Sequence, residues 1–166
     1  CELRRVIMKD TWRFEGNELS YLKQVLESGD VAGMSGSANN SLESRFSKKM
    51  GANYGITFNS GTSTLHAALH ALGVGYGDEV LMPALTVIAN LDVVIAQGAI
   101  PIFVDVDRET FNISAEDIRK KITKRTKAVM IVPLYGAPCD YDEIRLISKE
   151  YGVPVIHDAA QAPMAT

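Results

Sequence analysis

Residues 79–104, EVLMPALTVIANLDVVIAQGAIPIFV, hold two short apolar runs with a helical segment between them. The runs cover residues 79–82 and 101–104, and each has the length of a buried strand rather than of a helix. Apolar runs that alternate with helical segments of about ten residues are typical of βαβ units in a parallel sheet. The pattern therefore predicts an α/β fold in which helices cover both faces of a mostly parallel sheet.

The same alternation continues on both sides of this unit. Three more apolar runs bring the predicted number of strands to five, and they lie at residues 54–58, 128–132 and 153–157. Two helix starts between the runs show capping-box spacing, Ser114 with Asp117 and Asp140 with Glu143.

The N-terminal part of the chain has a different pattern. Residues 18–28 carry apolar side chains at helical spacing with a glycine directly after them, and a second helix is predicted over residues 42–50. A polar loop at residues 32–41 separates them and is a candidate for reaching a partner or substrate. We expect a helical arm over residues 1–53 and an α/β domain, here incomplete, over residues 54–166.

Composition restricts the class of protein. The 166 residues are 46% hydrophobic, and 17 basic against 20 acidic residues give a net charge of −3. There is no basic cluster, so neither nucleic acid nor a membrane surface is an expected partner. No stretch approaches the about 20 apolar residues of a membrane span. Cys1 and Cys139 form neither a disulfide framework nor a metal-ligand spacing, and we expect a reducing, cytoplasmic location.

The first candidate site follows the first predicted strand. Ligands of open parallel sheets bind beyond the carboxyl ends of the strands, and the turn Asn59-Ser60-Gly61-Thr62-Ser63-Thr64 runs from there into a helix. Gly61 lets the backbone approach a ligand closely, and the free amides of the first helical turn, with the hydroxyls of Thr62 and Ser63, are suited to a phosphate group. The alternative is an ordinary serine cap with a tight turn. The fingerprints of dinucleotide and nucleoside-triphosphate sites are absent from the sequence.

The second candidate site follows the last predicted strand. Asp158 emerges from an apolar run, and a buried carboxylate needs a cation or several hydrogen-bond donors. A protonated pyridinium nitrogen would be such a cation, although Asp158 could instead cap a following helix. Gln161 could reach the same ligand or lie on the surface. His157 is expected to point to the opposite face and to be structural.

Other reactive side chains are given structural interpretations. His66 and His70 are four positions apart on a predicted helix, but no third metal ligand is evident, so no metal site is expected. Cys139 precedes a helix start and has no histidine near it in sequence, which favours a structural thiol. Asp105 and Asp107 lie in a turn and are expected to be solvated.

Several of these segments occur in an order that resembles the DegT/DnrJ/StrS sugar aminotransferases, which are pyridoxal-phosphate enzymes of fold type I. Each motif is weak alone, and their order and spacing carry the resemblance along nearly the whole chain. The segments are Asn59-Ser60-Gly61-Thr62, Gly75-Tyr76-Gly77-Asp78-Glu79-Val80, Pro101-Ile102-Phe103-Val104-Asp105-Val106-Asp107, Leu134-Tyr135-Gly136 and His157-Asp158-Ala159-Ala160-Gln161.

The resemblance implies part of a fold type I large domain that binds pyridoxal 5′-phosphate (PLP). It assigns Gly61, Thr62 and Ser63 to the phosphate, Asp158 to the pyridine nitrogen and Gln161 to the neighbourhood of the 3-hydroxyl. The sequence departs from the family at two places. Val87 stands where an aromatic residue usually stacks on the ring, and Pro133 stands where many members have a histidine.

The resemblance also implies an activity for the intact protein. Family members transfer an amino group, typically from glutamate, to a nucleotide-linked keto sugar, and they act as homodimers. The Schiff-base lysine is expected beyond Thr166, so this chain alone is expected to be inactive and to contain no catalytic lysine. The alternatives are a related sugar dehydratase with a histidine in place of the lysine, a non-catalytic binding or regulatory module, and a parallel α/β domain with an unrelated ligand.

Overall fold

A computed structural model describes residues 16–34 and 36–164 of the chain. It contains a four-stranded parallel sheet with the strand order β2-β1-β3-β4. The strands are β1 (Glu79–Pro83), β2 (Ile100–Val104), β3 (Thr126–Ile131) and β4 (Val155–His157). The helices are α1 (Glu18–Ser28), α2 (Ser37–Lys49), α3 (Gly61–Ala71), α4 (Ile88–Ala96), α5 (Ala115–Lys121) and α6 (Tyr141–Tyr151), and a 3-10 turn covers Leu134–Gly136.

Helices cover both faces of the sheet. Successive side chains of a strand point to opposite faces, and the neighbours Leu81 and Met82 of β1 show the consequence. Met82 packs in a buried cluster with side chains of α3 and α4, whereas Leu81 packs in a second cluster with side chains of α5 and α6. Burial of each large aliphatic side chain contributes about 1.5–3 kcal/mol, so these clusters hold the layers together. The predicted α/β fold with a parallel sheet is confirmed.

The predicted helix starts at Ser114 and Asp140 are also confirmed. Ser114 Oγ accepts a hydrogen bond from the Asp117 amide at 3.2 Å, and Asp140 Oδ1 accepts one from the Glu143 amide at 3.0 Å. Each bond satisfies an amide of the first turn that has no partner within its helix.

The strand predicted over residues 54–58 is wrong as a sheet element. Its apolar side chains alternate as in a strand, but within the described part of the chain the segment pairs with no other strand. The backbone amide and hydroxyl of Thr57 instead donate to Glu43 Oε1 at 2.8 and 2.9 Å. A strand is stable only beside a neighbour that bonds its backbone, and side-chain alternation does not report whether that neighbour is present.

The polar loop predicted over residues 32–41 is shorter than expected, because α2 already begins at Ser37. The Ser37 amide donates to Asp30 Oδ2 at 2.7 Å and so gains a partner at the helix start. The same hydrogen bond lowers the pKa of the Asp30 carboxyl. The loop composition is polar, but this capping contact extends the helix into it.

The chain divides into two compact units between Thr57 and Phe58. The first unit contains α1 and α2, and the second contains the sheet with α3 to α6. The assignment of an arm to residues 1–53 and of a cofactor-binding domain to residues 54–166 stays a prediction.

Candidate functional site

The candidate site lies at the edge of the sheet where the parallel strands end. Asp158 directly follows β4, and α4 begins a few residues after β1. Helix α3 ends shortly before β1 begins and packs in the same buried cluster as α4, so its N-terminus faces the carboxyl edge as that of α4 does. The two sequence-predicted sites are therefore on one edge and one face of the sheet.

Asp158 is a buried carboxylate held by neutral donors. The residue is only 9% exposed, and its Oδ2 accepts a hydrogen bond from Asn90 Nδ2 at 3.0 Å. Oδ1 accepts one from the Ala160 amide at 3.2 Å. Among the described residues, no lysine, arginine or histidine forms an ion pair with it. A carboxylate with neutral donors only can still gain energy from a cationic ligand group.

Asn90 is a site residue that the motifs did not reveal. It is fully buried, and its Oδ1 accepts a hydrogen bond from Thr86 Oγ1 at 2.6 Å while its Nδ2 also contacts Met130 Sδ at 2.9 Å. One signal was available in the sequence. Asn90 precedes Val93 and Val94 by three and four positions, which places a lone amide on the apolar face of α4.

His157 points away from this cluster, as predicted. Its Nε2 lies 3.2 Å from the Tyr141 hydroxyl of α6, and the two rings meet edge to face with centroids 5.2 Å apart. Because α6 covers the face opposite to α4, His157 and Asp158 do not form a catalytic pair. Burial lowers the pKa of His157, and the nearby Asp158 charge partly opposes this shift.

The turn before α3 shows the expected capping arrangement. Ser60 Oγ accepts a hydrogen bond from the Ser63 amide at 3.1 Å and lies 3.0 Å from Ser63 Oγ. The amides of Gly61 and Thr62 are in the first helical turn, where the helix offers no acceptor. A Cβ added at Gly61 would meet no atom within 4 Å, so the space there is open to a ligand. The serine cap and a phosphate site are thus compatible.

Gln161 and Val87 complete the predicted set. Gln161 is exposed, and its Oε1 accepts a hydrogen bond from the Tyr135 amide at 2.6 Å. That bond leaves Nε2 as a donor without a partner among the described residues. Val87 is 44% exposed and occupies the N-cap position of α4, with extended backbone. The structure brings these residues to the same sheet edge, and their roles toward a cofactor stay predictions.

The other candidates have ordinary structural roles. Cys139 is buried, and burial raises the pKa of its thiol to about 11, which removes the reactive thiolate at neutral pH. Asp107 Oδ1 accepts hydrogen bonds from the Thr110 amide and hydroxyl and from the Glu109 amide, and these bonds lower the pKa of its exposed carboxyl. These contacts close a turn at the surface.

The two lysines at the end of α5 lie on the face of the sheet opposite to this site. Lys120 and Lys121 of α5 pair with Glu116 at 2.6 Å and Asp117 at 2.7 Å. Helix α5 packs on the face opposite to α4 and Asn90. Among residues 16–34 and 36–164, no group of three or more His, Cys, Asp and Glu side chains could hold a metal ion. No helix in these ranges has the length and apolar character needed to cross a membrane.

Comparison with known proteins gives consistent matches. A sequence model of the DegT/DnrJ/EryC1/StrS aminotransferase family matches residues 13–166. An aminotransferase from Psychrobacter cryohalolentis is 38% identical over 90% of this chain, with a TM-score of 0.86. 3-Amino-5-hydroxybenzoic acid synthase is 37% identical over 90% of this chain, with a TM-score of 0.87. NtdA from Bacillus subtilis, solved with bound cofactor PMP, is 37% identical over 89% of this chain, with a TM-score of 0.82.

These relatives are much longer than the part that matches. The chain spans 38% of the Psychrobacter cryohalolentis aminotransferase, 39% of 3-amino-5-hydroxybenzoic acid synthase and 33% of NtdA. The agreement in fold therefore concerns one part of each relative.

Proposed function

This chain belongs to the DegT/DnrJ/EryC1/StrS aminotransferase family, and on that premise we propose that it forms the PLP-binding part of an aminotransferase. One observation carries the proposal. The Asp158 carboxylate is buried at the carboxyl edge of the sheet, its donors among the described residues are all neutral, and the N-terminus of α3 lies on the same face. A phosphate group and a cationic ring nitrogen on one cofactor match these two features.

The residues of the site fit PLP by their donor chemistry. The amides of Gly61 and Thr62, with the Thr62 and Ser63 hydroxyls, would bind the phosphate. Asp158 would accept a hydrogen bond from the pyridine nitrogen and keep the proton on it. Gln161 Nε2 would donate to the 3-oxygen, and Val87 would cover one face of the ring with an aliphatic side chain. When bound, PLP supplies the electron sink that makes amino transfer possible.

The protein's own part in the reaction is to keep positive charge at the ring nitrogen. A carboxylate in a site of low dielectric interacts strongly with a cation, because water does not screen the pair. The Ala160 amide and Asn90 hold both Asp158 oxygens, so the carboxylate needs little reorganisation when charge develops. Proton movement between carbon centres is left to the Schiff-base lysine that the family resemblance implies.

The finer proposal concerns substrates, assembly and location. We take a nucleotide-linked keto sugar as the amino acceptor and glutamate as the donor, in a cytoplasmic homodimer whose active sites draw on both subunits. The support is the ordered set of motifs shared with sugar aminotransferases. The same proposal includes the division into an arm over residues 1–53 and a cofactor-binding domain over residues 54–166.

A cofactor titration of the full-length protein tests the proposal. PLP is added, the absorbance of the bound cofactor is recorded, and borohydride is then applied. We expect a band that borohydride converts into a covalent adduct, and conversion of bound PLP to PMP when glutamate is added. If PLP binds but borohydride does not link it covalently to the protein, the result would favour the dehydratase, which has a histidine in place of the lysine. A full-length protein that does not bind PLP overturns both and leaves a non-catalytic module.

Asp158→Asn is the matching variant, and Asp92→Asn is its control. Asp92 is an exposed carboxylate on α4, so the control makes the same chemical change outside the site. We expect Asp158→Asn to weaken PLP binding by about 100-fold or more, because it removes one partner of a buried charge pair. Equal affinities for the two variants would refute the role given to Asp158.

A further inference from the structure

We propose that Asn90 is a positioning residue that holds the Asp158 carboxylate in the orientation needed to pair with a cationic ring nitrogen, and that Thr86 orients Asn90. The inference rests on the proposed function, because it takes the PLP ring nitrogen as the ligand of Asp158. It adds two residues that belong to none of the motifs from which the site was predicted.

The burial of Asn90 is the first argument. Its residue is 0% exposed, and the helix around it is otherwise almost entirely apolar. A buried side-chain amide is costly unless its donors and acceptor are bonded. Both ends of this amide are bonded, to Thr86 Oγ1 at 2.6 Å and to Asp158 Oδ2 at 3.0 Å. The arrangement is therefore specific to an amide, and an apolar side chain of similar size would leave Asp158 Oδ2 without its donor.

The direction of the hydrogen bonds is the second argument. An amide has one donor end and one acceptor end, and only the donor end can face a carboxylate. The Thr86 hydroxyl donates to Oδ1 and so favours the orientation in which Nδ2 faces Asp158. Thr86, Asn90 and Asp158 thus form a chain of bonds in which each group fixes the next.

The neutrality of Asn90 is the third argument. A lysine or arginine in this place would neutralise Asp158 and compete with the ring nitrogen, and a second carboxyl group would share a proton with it. An amide does neither, because it gives a hydrogen bond without a charge. Asn90 therefore holds one Asp158 oxygen in place without setting a compensating charge beside it.

The position of Asn90 in the fold is the fourth argument. The bond to Asp158 joins residues 68 positions apart and passes over Met130 of β3, which Asn90 Nδ2 contacts at 2.9 Å. Val87 is the N-cap of the same helix. Asn90 therefore links the residue proposed to cover the ring to the residue proposed to bind its nitrogen, so a shift of α4 would move both together.

The inference is tested by preparing the full-length protein free of cofactor and then titrating it with PLP. We expect Asn90→Ala to weaken PLP binding about 10-fold or more, since a hydrogen bond to a charged group is lost. Thr86→Val removes only the hydroxyl and should weaken binding about threefold, whereas Thr86→Ser keeps the hydroxyl and should bind as the unmodified protein does. Thermal unfolding without PLP identifies variants that fail to fold. If Asn90→Ala fails to fold, the comparison of Thr86→Val with Thr86→Ser still tests the inference.

A double-mutant cycle separates positioning from a general packing effect. If Asn90 acts through Asp158, Asn90→Ala should weaken PLP binding far less in the Asp158→Asn background than in the unmodified protein. An equal loss in both backgrounds overturns the inference, as do unchanged affinities of Asn90→Ala and Thr86→Val. Both results leave the proposed function intact, because PLP still binds. Failure of the unmodified protein to bind PLP overturns the proposed function and the inference together.

Discussion

The backbone amide of Tyr135 donates a hydrogen bond to Gln161 Oε1 at 2.6 Å, which joins the loop after β3 to the loop after β4. Tyr135 has a φ of 56°, a left-handed conformation that is unfavourable for a tyrosine, and its side chain is 78% exposed. Strained, exposed residues of this kind concentrate at functional edges. The bond fixes which end of the Gln161 amide is free to donate to a ligand.

Gln161→Glu should distinguish the role of the Oε1 acceptor from that of the Nε2 donor. Glutamate keeps an oxygen acceptor for the Tyr135 amide but replaces the Nε2 donor with a charged oxygen. We expect nearly unchanged thermal stability and PLP binding about 10-fold weaker, since a donor to the 3-oxygen is lost. Gln161→Leu should lose both stability and affinity. PLP titration with thermal unfolding measures the two effects, and wild-type affinity of Gln161→Glu would contradict the role of Nε2.

Tyr135→Gly should be more stable than Tyr135→Ala by about 1 kcal/mol. Both variants remove the exposed ring, but only glycine adopts the left-handed conformation without steric cost. Chemical denaturation of the two full-length variants measures the difference in the free energy of unfolding. Equal stabilities would show that the positive φ of Tyr135 costs nothing.

Ser60→Ala and Ser114→Ala form a matched pair of helix-cap variants. Ser60 caps α3 through the Ser63 amide and Ser114 caps α5 through the Asp117 amide, so each variant should lose about 1 kcal/mol of stability. Only Ser60→Ala should also weaken PLP binding, because α3 begins at the proposed phosphate site. Parallel denaturation and PLP titration test this, and equal PLP affinities would argue against a phosphate at that turn.

Cys139 should reduce stability at alkaline pH. Burial raises the pKa of its thiol from 9.0 to about 11, so between these values the unfolded chain loses the proton before the folded one does. The unfolded state then binds fewer protons, and the free energy of unfolding falls as pH rises through this window. Cys139→Ala should lack this part of the fall. Denaturation curves between pH 8 and about 11 compare the two proteins, and parallel profiles would contradict the assigned burial effect.

Local patterns of the sequence were sufficient for most of the fold. The apolar runs around Leu81 and Met130 became buried strands, because a short run bounded by turn residues has few other ways to bury its side chains. The caps at Ser114 and Asp140 followed from spacing alone, since they involve residues three positions apart. The strand predicted over residues 54–58 was wrong because backbone pairing in a sheet depends on a neighbouring strand from elsewhere in the chain.

Local periodicity and motif order in the sequence were enough to predict the α/β class, the family resemblance and Asp158 as a candidate site residue. The long-range contact of Asp158 became apparent only in the folded protein. Its partner Asn90 lies 68 positions earlier and resembles any polar residue in a helix until α4 packs against the sheet. Hydrogen bonds between distant residues are set by packing, so the Asn90 donor could not be read from spacing along the chain, whereas the Ala160 amide is a local donor two positions away.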